Sequence, residues 1–110
     1  MDLDLSLENK DIYAGVEIES YGGKKSFELN QDNLNLIGEN IAGYIKKAKA
    51  EAKASGGWND KNSAAGFADT VILTGATAIP VYLAAFHAVV HNFHEVRYKN
   101  EMYEVTVAKH

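Results

Sequence analysis

The feature that most constrains this chain is the stretch from residue 70 to residue 82, where an apolar run stops at a glycine and a helix follows. Val71-Ile72-Leu73 has the length and composition of a buried strand, and Gly75 comes two residues later. Pro80 suits the first turn of the helix. A strand, a glycine turn and a helix N-terminus in succession offer backbone N–H groups and a positive helix end to an anion.

The residues of this turn are the candidates for contacts with such an anion. Glycine would let the backbone approach a phosphate closely, and threonine hydroxyls would add donors. The alternative is an ordinary strand-to-helix turn that needs glycine only for its backbone conformation. The second glycine and the Lys-Ser/Thr pair of a P-loop are absent. The candidate ligand-binding residues of the turn are Thr74, Gly75, Ala76 and Thr77.

Two histidines follow on the predicted helix, which we expect to extend to about residue 91. His87 and His91 are four residues apart, so both fall on one face of a helix. Such a pair can hold a metal ion or act as acid and base in phosphodiester cleavage. The glutamate of a zinc-protease motif is missing between them, and the rest of the helix is apolar. They are the candidate catalytic residues; the alternative is a role in the core or in an interface.

Three further residues are candidates for contacts with a nucleotide. Trp58 lies in a glycine-rich segment and would stack on a base, or alternatively fold back to anchor its loop on the core. Arg97 is the only arginine in the chain, and its planar fork suits phosphate. The alternative for Arg97 is a cross-strand pair with a glutamate such as Glu104. Tyr98 follows on the same predicted strand.

The N-terminal part of the chain alternates between apolar and polar residues, which is the period of a half-buried strand. Residues 3–7 and 12–19 both show this alternation, and the polar residues 8–11 between them read as a turn. The pattern predicts an antiparallel hairpin. From residue 32 to residue 54 the spacing becomes helical, with Asn30 or Asp32 as the predicted cap.

The C-terminal part predicts a second hairpin, with strands over residues 95–99 and 102–108 and a turn at residues 100–101. Together the elements have the order ββ-α-β-α-ββ. This order predicts an α+β fold, a two-layer sandwich with the helices on one face of a mainly antiparallel sheet. A length of 110 residues predicts one domain, residues 1–110.

Composition excludes several classes of protein. A hydrophobic content of 46% with 24% charged residues is typical of a soluble globular domain, and no run approaches the ~20 apolar residues of a membrane span. The chain has no cysteine, which excludes disulfides and thiolate metal sites and fits a reducing, cytoplasmic compartment. The net charge of −4 argues against a protein that coats duplex DNA or RNA.

These motifs resemble a known family, the small α+β (non-Rossmann) ring nucleases of type III CRISPR antiviral defence. The N-terminal residues 8–11 and 16–19 are similar to the family's opening. The stronger match covers the glycine turn, the two histidines at the family's distances from that glycine, and the tyrosine of the last hairpin: residues 71–75, Ile79, Tyr82, His87, His91 and Tyr98.

The resemblance implies binding of cyclic tetra-adenylate, held between molecules of a homodimer or higher homo-oligomer, and its cleavage with the help of manganese. By position, Thr74, Gly75 and Ala76 would line the phosphate ring, and His91 would be the active-site histidine. After the tyrosine the family has Asp-Pro-Arg, whereas this chain has Lys99-Asn100-Glu101. The carboxylate that assists metal binding and the arginine are therefore absent from their places.

Three functions remain open at this point. The first is a ring nuclease, in which a ribose 2′-OH attacks the adjacent phosphorus, donors near Gly75 stabilise the added charge, and a histidine moves protons. This route requires no metal. The second is a non-catalytic sensor, regulator or sponge for the same ligand. The third is a protein-interaction domain that does not bind nucleotides and uses the apolar helix over residues 80–90 as an oligomer interface.

Overall fold

A four-stranded mixed sheet positions the glycine turn. The computed structural model describes residues 1–54 and 70–109. In chain order the elements are β1 (Asp2–Asp4), β2 (Glu19–Tyr21), β3 (Lys24–Ser26), α1 (Gln31–Ala54), β4 (Thr70–Thr74), α2 (Ile79–Val89), β5 (Glu95–Lys99) and β6 (Glu104–Lys109). The large sheet has the strand order β1-β4-β5-β6, and β2 and β3 form a separate two-stranded sheet.

The predicted α+β class is confirmed, and the order of elements broadly agrees with the prediction. The four-stranded sheet is mixed, because β1 and β5 both pair parallel with β4, whereas β6 pairs antiparallel with β5. The two parallel pairings follow from the helices α1 and α2, each of which returns the chain to the same end of the sheet before the next strand begins. The predicted hairpin of β5 and β6 is confirmed.

The predicted N-terminal hairpin is wrong. β1 pairs with β4, in a register that sets Leu3 beside Leu73, and residues 12–16 form turns rather than a strand. In this segment the carbonyls of Ile12 and Ala14 accept hydrogen bonds from a residue of α1 and not from a neighbouring strand. The donor is the Asn40 side chain, at 3.1 and 2.8 Å. The N-terminal half of the chain does contain a hairpin, but it is β2–β3.

The ends of the two helices follow local chemistry. Of the two predicted caps, Asn30 is the one that caps α1, since its side-chain oxygen accepts the N–H of Asn33 at 2.8 Å. Helix α2 ends at Val89, two residues before the predicted end. Asn92 closes it by donating its backbone N–H to the Val89 carbonyl and its side-chain amide to the Ala88 carbonyl, both at 2.9 Å. His91 therefore lies in the turn after α2.

A single apolar core fills the space between the sheet and the two helices. The fully buried side chains Leu3, Val71 and Val96 come from three adjacent strands and alternate along them with more exposed residues. The two helices contribute six further buried side chains to this core: Ile37, Ile41, Ile45, Val81, Ala85 and Val89. Among residues 1–54 and 70–109, neither helix combines the length and the apolar character that a membrane span requires.

Candidate functional site

The turn after β4 is shaped by the chain that leaves β1. Gly75 has a φ of 96°, a conformation that favours glycine. A Cβ on Gly75 would lie 2.3 Å from Asp4 Oδ1 and 2.6 Å from the backbone nitrogen of Ser6. The N–H of Leu5 donates to the Thr74 carbonyl at 2.7 Å and holds the two segments together. Gly75 therefore has a packing role, because it leaves room for Asp4 and Ser6. These residues close the side of the turn that faces β1.

Two tyrosine hydroxyls hold the turn from the helix side. The Tyr13 hydroxyl donates to the Leu5 carbonyl at 2.6 Å and lies 2.8 Å from the hydroxyl of Thr77. The Tyr82 hydroxyl, one turn into α2, donates to the carbonyl of Gly75. The Thr77 hydroxyl therefore forms its hydrogen bond with Tyr13, and this hydrogen bond stabilises the turn.

The remaining side of the turn opens into a cleft of about 630 Å³. Among the described residues, the backbone N–H groups of Gly75, Ala76 and Thr77 donate no hydrogen bond. The carboxyl ends of the parallel strands β4 and β5 meet at this edge of the sheet, which is a common location of ligand sites. The lining residues are Thr74, Gly75, Ala76, Tyr98, Lys99, Asn100, Glu101 and Met102.

Three tyrosine rings pack together beside the cleft. Tyr98 lies at the centre, with its ring centroid 5.4 Å from that of Tyr82 and 5.9 Å from that of Tyr103. Burial, together with the charge and hydroxyl of Tyr98, raises the pKa of Tyr82 to about 12. The turn between β5 and β6 is fixed by the Asn100 side-chain oxygen, which accepts the N–H groups of Met102 and Tyr103 at 2.8 and 3.0 Å.

The structure brings four of the predicted ligand-binding residues together in this cleft: Thr74, Gly75, Ala76 and Tyr98. Arg97 lies elsewhere. It points to the opposite face of the sheet, where its guanidinium lies 3.0 Å from Glu104 and 3.6 Å from Glu95. This is the cross-strand alternative that the sequence left open. Trp58 lies outside the described residues.

The two histidines are separated from the cleft. His87 is exposed in the last turn of α2, eight residues after Ile79, which corresponds to about 12 Å along the helix axis. His91 is exposed in the turn beyond the helix end. Neither histidine lines the cleft at Gly75. Within the two described ranges, no three His, Asp or Glu side chains come together in an arrangement that could hold a metal ion.

Sequence reasoning missed the second wall of the cleft, which the end of β5 and the turn after it supply through Lys99, Asn100 and Met102. Since β4 and β5 are parallel, Leu73 pairs with Tyr98, and the ends of both strands lie side by side. The apolar pattern contained no signal for this pairing, because a buried strand looks the same whichever neighbour it has. A helix between two predicted strands was the signal that favoured a parallel pair.

Comparison of the chain with protein-family models, with curated proteins and with solved structures gives no match. The geometry of the cleft and the residues that line it therefore carry the functional argument.

We expect Gly75→Ala to lower the free energy of unfolding by about 2 kcal/mol or more, because a Cβ in this backbone conformation is strained and would collide with the chain after β1. Urea unfolding followed by circular dichroism measures the change. Gly43→Ala in α1 is the matched control. Its Cβ would meet no atom within 4 Å, so the better helix propensity of alanine should stabilise the protein by about 0.5–1 kcal/mol. Equal effects of the two substitutions would contradict the packing role of Gly75.

The raised pKa of Tyr82 predicts a loss of stability at high pH. Between the ordinary tyrosine pKa of 10.0 and about 12, the folded protein keeps the Tyr82 proton after the unfolded chain has lost it. The stabilisation by neutral Tyr82 is therefore complete below about pH 10 and is lost as the pH rises to about 12. Wild-type protein should lose more unfolding free energy than Tyr82→Phe between about pH 9 and pH 11. Lysine titration is common to both proteins, so equal losses would show that Tyr82 does not carry the effect.

Proposed function

We propose that this protein binds a cyclic oligoadenylate, with cyclic tetra-adenylate as the ligand indicated by the resemblance to ring nucleases, in the cleft at the ends of β4 and β5. The observation that carries the proposal is the cleft itself, which is lined both by Gly75 and Ala76, whose N–H groups donate no hydrogen bond, and by Tyr98. N–H groups in a turn suit phosphate oxygens, and an aromatic ring suits an adenine base.

A phosphate would approach the turn from the β5 side, because a carboxylate fills the β1 side. The carboxylate of Asp4 lies on the β1 side of Gly75, where Ser6 donates to both of its oxygens at 2.9 and 3.0 Å. Lys99 lines the open side and is exposed. Glu101 lines the same cleft, so an anionic ligand depends on Lys99 and on the backbone donors to offset this carboxylate.

The proposal extends to cleavage of the ring. The ribose 2′-OH would attack the adjacent phosphorus, the 5′-oxygen would leave, and the N–H groups beside Gly75 would stabilise the added negative charge. His91 or His87 would accept the 2′-OH proton and return a proton to the leaving oxygen. Because both histidines lie at the far end of α2 from Gly75, the histidine at a bound ring would come from another copy of the chain.

Binding without cleavage is the second candidate, as a sensor, regulator or sponge. The observation that favours it is the separation of His87 and His91 from the cleft of the same copy. Lys99 also stands where the resemblance places the carboxylate that assists manganese. Product analysis with manganese and with EDTA distinguishes the two candidates, since only a ring nuclease produces linear fragments.

We expect Lys99→Glu to weaken the binding of cyclic tetra-adenylate by about tenfold or more, because a carboxylate would replace a cation beside the phosphates. Isothermal titration calorimetry measures the affinity. Lys24→Glu is the matched control, since Lys24 is exposed on β3 and lies outside the cleft. Equal weakening by both variants would place the ligand elsewhere. A wild-type protein that shows neither heat of binding nor a thermal shift with the ring would refute the nucleotide-binding function.

We expect His91→Ala to slow ring cleavage by about 10²–10⁴, the usual contribution of a general acid or base, and to change affinity far less. Quantification of linear products over time measures the rate. A mixture of His91→Ala with Lys99→Glu should regain part of the activity, because one variant keeps the cleft and the other keeps the histidine. Unchanged cleavage by His91→Ala would show that this residue does not take part in the reaction. If the ring stays intact in the presence of the wild-type protein and manganese, the function is binding without cleavage.

A further inference from the structure

The four-stranded sheet has two edge strands, and their outer edges differ. β1 and β6 each have one neighbour, because the strand order is β1-β4-β5-β6. β1 is three residues long and has an aspartate on each side of its buried leucine, which makes a short, charged edge that resists further pairing. β6 is six residues long, and between Glu104 and Lys109 it has neither a charge nor a proline. Such an edge is a template for the addition of another strand.

The outer edge of β6 carries a row of backbone groups that face no strand. In an antiparallel pair, alternate residues direct their N–H and C=O groups to the partner strand, and the residues between them direct theirs away from it. β6 pairs with β5 alone. Within residues 1–54 and 70–109, no other backbone group forms a hydrogen bond with residues 104–109. An extended chain satisfies such a row, because its own N–H and C=O groups repeat at the same spacing.

One face of β6 is apolar and half-exposed. Val105 pairs with Tyr98 on the helix-covered face of the sheet and is 42% exposed. Val107 is 49% exposed and lines a groove of about 500 Å³ together with Leu83 of α2. A strand added beside β6 would lie about 4.8 Å beyond it and would direct every second side chain to this face. Apolar side chains at those positions would pack beside the two valines.

We propose that the outer edge of β6 binds an extended peptide segment of another protein, with apolar β-branched residues at alternate positions and a net positive charge. On the polar face of the sheet, Arg97 is already paired, 3.0 Å from Glu104 and 3.6 Å from Glu95. The net charge of −4 on the whole chain therefore favours the approach of a positive segment. A second copy of this chain carries the same −4 and is repelled.

This inference does not depend on the proposed nucleotide, since no residue of β6 lines the cleft at Gly75.

The probe is a capped peptide with the sequence Lys-Val-Thr-Val-Thr-Val-Lys, whose valines match the apolar face of β6 and whose threonines match Thr106. Wild-type protein should bind it with a dissociation constant on the order of 10–100 μM, measured by fluorescence anisotropy. The same peptide N-methylated at every residue keeps its side chains but has no backbone donor, so it should bind at least about tenfold more weakly. Replacement of both lysines by glutamate should weaken binding at least about threefold, because the protein repels a negative peptide.

Two protein variants and one exchange measurement locate the bound peptide. Val107→Asn removes an apolar side chain from the edge without a change of charge, and it should weaken binding at least about fivefold. Tyr21→Asn is the matched control, because Tyr21 is 89% exposed on β2, outside the four-stranded sheet, and the affinity should not change. In the wild-type complex, amide hydrogen exchange should slow in β6 and stay unchanged in β1. The exchange and N-methylation measurements use wild-type protein, so they test the proposal even where Val107→Asn fails to fold.

The proposal is overturned if wild-type protein leaves the lysine peptide unbound at about 1 mM, or if the N-methylated peptide binds as tightly as its parent. It is also overturned if folded Val107→Asn binds as tightly as Tyr21→Asn, or if exchange slows in β1 and not in β6. Equal affinity for the glutamate peptide would contradict the positive charge assigned to the partner. A wild-type dimer in sedimentation velocity that Val107→Asn dissociates would assign the edge to a second copy of the chain instead.

Discussion

The candidate site depends on the contact between the chain that leaves β1 and the turn that leaves β4. The Leu5 N–H donates to the Thr74 carbonyl at 2.7 Å, and Gly75 leaves no room for a side chain on that side. Because the β1 side is filled by Asp4 and Ser6, the turn can open only toward β5. The parallel pairing of β1 with β4 therefore places the chain after β1 against one side of the turn and leaves the cleft on the β5 side.

Tyrosines connect this turn to the rest of the molecule. Tyr13 and Tyr82 each direct a hydroxyl to a backbone carbonyl of the contact, those of Leu5 and Gly75. Burial raises the pKa of both phenols, so both stay neutral donors well above physiological pH. Tyr98 packs on Tyr82 and lines the cleft, so the aromatic cluster joins the turn after β4 to the end of β5.

Local patterns were sufficient to predict much of this fold. The helical spacing predicted α1, and Asn30 was one of its two predicted caps. The apolar run at residues 71–73 predicted the buried strand β4, and the turn at residues 100–101 predicted the last hairpin. Alternation at residues 12–19 misled, because Ile12 and Val16 are buried beneath α1 without forming a strand. Alternation reports which side chains are buried, and it does not report which backbone receives the hydrogen bonds.

The sequence by itself determined the class of fold and most of its helices and strands, since these depend on neighbours within a few residues. Only the tertiary structure decided that Leu3 pairs beside Leu73, that Tyr98 faces the cleft while Arg97 pairs with Glu104 on the other face, and that the histidines lie far from Gly75. The physical reason is the distance along the chain. The pairings of β4 with β1 and with β5 join residues about 25 to 70 positions apart, for which a single sequence carries no local periodic signal.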